Sequence, residues 1–480
     1  MLATLVCGAA ACSVRSVESD PQPLVELPEA FPSLPPEAAS SSAKAVWWAE
    51  FDDAQLDALI RQALARAFDV DVALERVEQA RARARQLGAP LRPSVDALAS
   101  HGVENTDANA FRDLDDDTDT VTQVGLVASW ELDLFGRLSA RRAAALEDVA
   151  VSEADLAGVR LALSADMADA YLAALEQHLQ LALLDGQLAL DLVLLELTEF
   201  RFAQGAASAV DVLQQQGQVA ATRARFPPAR AARRVAENRI DVLLGTAPDG
   251  IDRVSGEAFR TLPELPPVGV PSELLLRRPD LRARLRDVVG RDQLVSAALA
   301  GRFPRIALTG SLGWRSADAG DGFAASLGAN LLAPLTDGGF RRAVVAENES
   351  ALREAVAALS NTFLLAMEEV DSALWLEQQQ REELRVLVQR EEVLESNVVE
   401  ARNRYANGLT DYLPVFVAVD DVQQTQRDVL QRRRALLSRR VSLHRALGGA
   451  LPPLEASDAA ARDDARTQAS SNSLRTEVAE

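Results

Sequence analysis

The chain has 480 residues, 48 % of them hydrophobic and 25 % charged, with a formal net charge of −21. That is the composition of a folded protein, and so acidic a balance excludes a nucleic-acid partner while favouring cations near any cavity. The two cysteines, Cys7 and Cys12, both lie near the start, so neither a disulfide framework nor a cysteine zinc site is available elsewhere. No apolar run reaches the roughly 18 residues that a membrane-spanning helix needs.

The stretch LATLVCGAAACSV places a short apolar run and three alanines, Ala9 to Ala11, before Cys12. This reads as an export signal over residues 1–11, truncated at its basic start, followed by a lipidation site at Cys12. Acyl chains such as palmitate on that cysteine anchor a protein stably when more than one is present. Residues 12–45 are rich in Pro and Ser and are expected to be an extended, lipidated segment.

Trp47-Trp48 open a helical stretch with Leu56, Leu59 and Ile60 on one face, and a second helix is expected over about 69–88. Two strand candidates follow. Val95, Ala97, Ala99 and Val103 share one face of the first. In the second, Val124, Leu126, Ala128, Trp130 and Leu132 alternate with mostly polar residues, the period-two signature of a sheet with two unlike faces. The pattern then becomes helical over about 137–203, without a proline. Leu156, Val159, Leu163, Met167, Ala170 and Ala174 step by three and four along one face, in a coiled-coil rhythm. A helix of this length reaches roughly 100 Å, far more than a globular domain needs. A turn is expected at Gly205, then a return helix capped by Ser208, with Asp211 in its first turn. It is expected to break and restart at Pro227-Pro228 and to stop at Leu244-Gly245.

Residues 246–271 form a Pro/Gly-rich linker, after which the plan repeats. Short helices are expected over about 272–300. Strands follow through PRIALTGSLGW and FAASLGANLLA, then a long helix to Tyr405 and a turn at Gly408. A return helix opened by Thr410-Asp411 ends at Leu447-Gly448-Gly449. RFAQG at 201–205 and RYANG at 404–408 are thus the same helix end written twice. The expected organisation is a first repeat over 46–245, the linker, a second repeat over 272–450, and a disordered tail over 451–480.

Strands of about ten residues suit a tilted outer-membrane barrel, but four strands cannot close one. Open edges are not tolerated in lipid, so closure must come from other copies. The expected fold is mostly α with a transmembrane β part. In it, a homotrimeric twelve-stranded barrel, four strands per chain, continues into a long α-helical coiled-coil barrel, with an internal duplication.

The sequence resembles the TolC-like outer membrane factor family, in its NodT-type lipoprotein branch. The residues that carry the resemblance are Trp47-Trp48, SWELDLFGR (129–137), LLG (243–245), LLLRRPDL (274–281), FPRIALTGSLG (303–313), PLTDGG (334–339), RALGG (445–449) and the two tip motifs. It spans about 45–450 and departs from the family's pattern at Arg284 and Thr336. The resemblance implies a passive outer membrane channel of a tripartite efflux system, exporting small molecules such as drugs and toxic compounds. The implied partners are a periplasmic adaptor (membrane fusion protein), an inner-membrane resistance-nodulation-division transporter and outer membrane lipid. It also implies a periplasmic gate at the helix tips, by position Arg404, Tyr405, Asp411 and Tyr412 in the second repeat and Arg201, Phe202 and Asp211 in the first. Gly205 and Gly408 mark the hairpin-tip turns, where the resemblance implies that the adaptor docks. Helix capping is the alternative for Asp411 and Arg404. Trp130 and Trp314 are assigned either to an interfacial belt or to packing.

No catalytic constellation, cofactor motif or metal-ligand spacing is present, and His101, His178 and His444 are scattered. The chain therefore does not read as an enzyme. The competing readings are a type I secretion exit duct, a periplasmic adaptor, and a non-channel coiled-coil structural protein of the outer membrane.

Overall fold

A computed structural model of the chain describes residues 17, 21–25, 28–34, 46–105, 118–317 and 320–453. The expected signal, Cys12, most of the extended segment and nearly all of the tail lie outside the described residues. The first half runs α1 (Ala54–Arg66), α2 (Phe68–Gly88), β1 (Ser94–Asn105), β2 (Thr118–Leu132), α3 (Arg137–Ala203) and α4 (Ala209–Leu243). The second half runs α5 (Leu274–Arg277), α6 (Pro279–Ala300), β3 (Arg305–Ala317), β4 (Gly320–Leu332), α7 (Phe340–Ala406) and α8 (Leu413–Ala446). α3 and α7 are each 67 residues long, so the duplication extends to helix length.

Two compact units are formed. One comprises Met1–Glu26, Leu74–Asp155 and Asp280–Phe363 and carries the strands. Its single sheet is antiparallel in the order β1-β2-β3-β4. The β2–β3 pairing joins the two halves of the chain. Register brings the apolar residues onto one face: Leu126 opposes Leu312, Val124 opposes Trp314, and Trp314 in turn opposes Phe323. The other face is largely Ser, Thr and Gly. There Ser94 and Ser129 hydroxyls lie 2.9 Å apart and those of Ser311 and Ser326 2.8 Å. Gly125 faces Gly313, where a Cβ on Gly125 would come within 2.8 Å of the Leu312 carbonyl oxygen.

None of the described residues covers the apolar face: Phe323 is 76 % exposed and Leu327 89 %. Trp130 and Trp314 lie on it, both partly exposed, and the Trp130 indole donates to the Leu91 carbonyl at 3.1 Å. The sheet runs into α3 through SWELDLFGR. Asp133 accepts from the backbone N–H groups of Leu138 and Ser139 at 2.9 and 2.7 Å and caps the helix, while Glu131 pairs with Arg137 at 2.7 Å.

The other unit comprises Leu27–Ala73, Leu156–Pro279 and Leu364–Glu480. Trp47 and Trp48 are buried, their indoles donating to Ser164 at 3.1 Å and Asp57 at 2.8 Å. In LLLRRPDL, Arg278 donates to Glu369 and to the Ala446 carbonyl, both at 2.8 Å, tying α7 to the end of α8. The linker is pinned by Arg440, which is fully buried; it forks onto Glu377 and also donates to the carbonyls of Pro263 and Glu264. Among the described residues no helix is long and apolar enough to cross a membrane.

Two expectations about helix limits are corrected. α4 does not restart at Pro227-Pro228 but runs through both prolines. Being adjacent, they place their missing donors side by side. Burial of Phe226 and Ala229 against Leu184 holds the backbone helical across them. The return helix α8 opens at Leu413, not at Thr410-Asp411. Tyr412 is its N-cap residue and Pro414 lies in its first turn, because the Tyr412 ring is drawn into the core and Pro presets the helical φ.

Candidate gate at the hairpin ends

Both hairpin turns follow from one local rule. At the end of α3, Gly205 takes φ 72°, its N–H bonds the Phe202 carbonyl at 2.9 Å, and Ala206 bonds the Arg201 carbonyl at 2.8 Å. At the end of α7, Gly408 takes φ 71°, its N–H bonds Tyr405 at 3.0 Å, and Leu409 bonds Arg404 at 2.9 Å. A left-handed residue that closes the last carbonyls is the reason glycine recurs at this offset.

Beyond the turns the repeats diverge. Ser208 and Asp211 make a reciprocal capping box, with Ser208 N–H donating to Asp211 at 2.8 Å and Asp211 N–H donating to Ser208 Oγ at 3.2 Å. Asp211 is therefore engaged in holding the start of α4. Asp411 is exposed and caps nothing.

Tyr405 and Tyr412 are buried, and their rings meet edge-on at 5.4 Å. They pack with Leu194 of α3 and with Val398, Val415 and Val419, so an aromatic knot joins the two hairpins. Arg201 closes it: Nη1 donates to the Tyr405 carbonyl at 3.0 Å and the guanidinium lies 4.2 Å from the Tyr405 ring centre. The structure thus brings together Arg201, Tyr405 and Tyr412 of the expected set. Arg404 and Phe202, the repeat equivalents of Arg201 and Tyr405, are left exposed.

A buried polar chain behind the knot is absent from the expected set. The Tyr412 hydroxyl donates to Gln215 Oε1 at 2.5 Å, and Gln215 Nε2 donates to the Asp191 carbonyl at 2.7 Å. The Asp191 carboxylate accepts from Thr222 at 2.6 Å and Gln423 at 2.8 Å. Gln187 follows, donating to the Gln423 carbonyl at 3.1 Å and accepting from Arg427 at 2.7 Å. Burial pushes the Tyr412 and Tyr405 hydroxyls up from the usual phenol range, so both remain neutral at physiological pH. The sequence signal was present: Leu184, Gln187, Asp191, Leu194 and Thr198 form one buried stripe of α3 at steps of three and four, and three of the five are polar. Among the described residues no cluster of His, Cys, Asp and Glu could hold a metal.

A sheet with one uncovered apolar face, joined to two long helical hairpins, defines a subunit of an outer-membrane channel. The family model "Outer membrane efflux protein" matches residues 59–246 and 270–449, and the chain belongs to that family. Its members are channel proteins of the outer membrane that serve efflux. The chain is 32 % identical to the pyoverdine export outer membrane protein OpmQ of Pseudomonas aeruginosa, over 84 % of this chain and 87 % of that one. It is 29 % identical to the solvent efflux pump outer membrane protein SrpC of Pseudomonas putida, over 83 % and 86 %. Among solved structures, the outer-membrane channel OprN superposes with a TM-score of 0.80 at 29 % identity, covering 90 % of this chain and 98 % of that one.

Proposed function

We propose that the chain is the exit duct of a tripartite efflux pump, working as a homotrimer gated at its hairpin ends. The observation that carries this reading is the uncovered apolar face of a sheet whose outer strands, β1 and β4, have no further strand beside them among the described residues. In lipid such edges must be paired, and three copies supply the twelve strands of a closed barrel. The Ser/Thr/Gly face then lines the pore. Arg201, Tyr405 and Tyr412 hold the two hairpins of one protomer together. Arg404, Phe202 and Asp411 lie unengaged on the outside of the knot and serve contacts with neighbouring copies. Cys12 carries the lipid anchor. The turns at Gly205 and Gly408 receive a periplasmic adaptor, through which an inner-membrane transporter of the resistance-nodulation-division class drives export of small molecules. A wide duct lined by small polar residues selects little, which leaves selection to the pump.

The test is single-channel recording of the full-length protein in a planar bilayer. Small, discrete, cation-leaning steps are expected, and Asp411→Asn should enlarge them. Failure to insert, with a detergent-extracted mass of a single chain, overturns the channel reading. An Asp411→Asn variant that conducts as the parent does removes only Asp411 from the gate.

A further inference from the structure

Asp191 is a fully buried carboxylate near the C-terminal end of α3, and its partners lie on two other helices. Its carboxylate binds Thr222 of α4 and Gln423 of α8, and its backbone carbonyl orients Gln215, the acceptor of the Tyr412 hydroxyl. Without the Asp191 carbonyl the Gln215 amide has no reason to present its oxygen to Tyr412. One residue therefore ties both return helices to α3 and fixes the side chain that holds the aromatic knot.

We propose that Asp191 is a proton-responsive positioning residue of the gate, whose neutral form favours closely packed hairpins. The inference rests on the reading of the hairpin ends as a gate. The charged groups facing Asp191 are Asp420 and Arg427, both on α8, and the titratable Tyr412 at the start of α8 also faces it; from α4 it meets the neutral Thr222 and Gln215. Burial raises its carboxyl above the usual carboxylate range. Hydrogen bonds from Thr222 and Gln423 and the charge of Arg427 oppose that shift, and Asp420 adds to it. A carboxyl that holds its proton more tightly when buried than when wet stabilises the buried arrangement as pH falls through the raised pKa. Deprotonation at higher pH favours any arrangement in which the hairpins part and water reaches the carboxylate. Neutralisation keeps both contacts, because the acid still accepts from Gln423 on one oxygen and donates from the other to the Thr222 hydroxyl, reversing the direction of that bond. Acid therefore closes the tip and alkali loosens it.

Asp191→Asn copies the protonated form in shape, accepting through its oxygen and donating through its amide. Full-length parent and Asp191→Asn are compared in planar bilayers at one alkaline and one acidic pH. The parent should lose about half of its conductance or more on acidification. The variant should show the low, acid-like conductance at both values. A merely structural Asp191 would lower assembly yield without moving the pH profile. A parent with no pH response, or a variant whose conductance falls with acid as the parent's does, overturns the proposal. If neither protein forms conducting steps, the channel reading falls first and this inference with it.

Discussion

Tyr405 and Tyr412 touch each other, yet their hydroxyls differ in circumstance. That of Tyr412 donates to a buried glutamine, whereas that of Tyr405 is buried with no hydrogen-bond partner among the described residues. Removing the first leaves Gln215 Oε1 desolvated and unpaired, at a cost of about 1–3 kcal/mol. Removing the second relieves an unpaired polar atom and should be nearly neutral. Tyr412→Phe is therefore expected to lower the melting temperature of the assembled protein and enlarge its conductance steps, while Tyr405→Phe does neither. Equal effects from the two variants would show that ring packing, and not the polar chain, holds the knot. Arg201 adds a cation over the Tyr405 face, worth about 0.5–2 kcal/mol in a partly buried setting.

The strands and helices use their special residues in different ways. Gly125 and Gly313 allow β2 and β3 to approach where a side chain would strike the opposing backbone. Gly125→Val should therefore disrupt the pairing that joins the two halves of the sheet, and the trimer band on native electrophoresis should be lost. Gly102→Val, on β1 with open space around the same position, should leave that band intact. In the helices the punctuation is overridden by packing. Pro227 and Pro228 would end an isolated helix, but α4 passes through them because Phe226 and Ala229 are buried on α3 residues. Conversely α8 starts late because a tyrosine is worth more in the core than in the first turn of a helix.

The duplicated plan bears on the assembled molecule through one asymmetry. Within a chain, Arg201 of the first repeat lies over Tyr405 of the second. The equivalent pair, Arg404 and Phe202, is unengaged, and Phe202 is 49 % exposed. In a closed ring of alternating repeats, each Arg404 is expected to meet the Phe202 of the next copy. With only Cys7 and Cys12 native to the chain, a Phe202→Cys/Arg404→Cys variant offers a clean reporter. Mild oxidation should give a ladder ending at a covalent trimer on non-reducing gels, and either single variant should not. A ladder that stops at a dimer, or runs on without limit, contradicts three-fold closure.

Strand alternation, the three-and-four stepping of α3 and the recurrence of Gly205 and Gly408 are local periodicities, written directly in the order of residues. The elements, their duplication and the need for partner copies were therefore legible without coordinates. SWELDLFGR and LLLRRPDL could be recognised as motifs; the first caps its own helix locally through Asp133, but the work of the second as a helix-end clasp depends on Arg278 meeting partners far along the chain. The buried polar chain was less legible still. Asp191, Gln215, Thr222 and Gln423 come from three helices, and each alone looks like an ordinary polar residue on a long helix. Whether such a residue is solvated or desolvated depends on which neighbour covers it, and hydrogen bonds between helices are set by rotation and register that no single periodicity carries. The same physics divided Arg201 from Arg404. The two stand at equivalent places in the sequence, and packing gave only one of them a ring to cover.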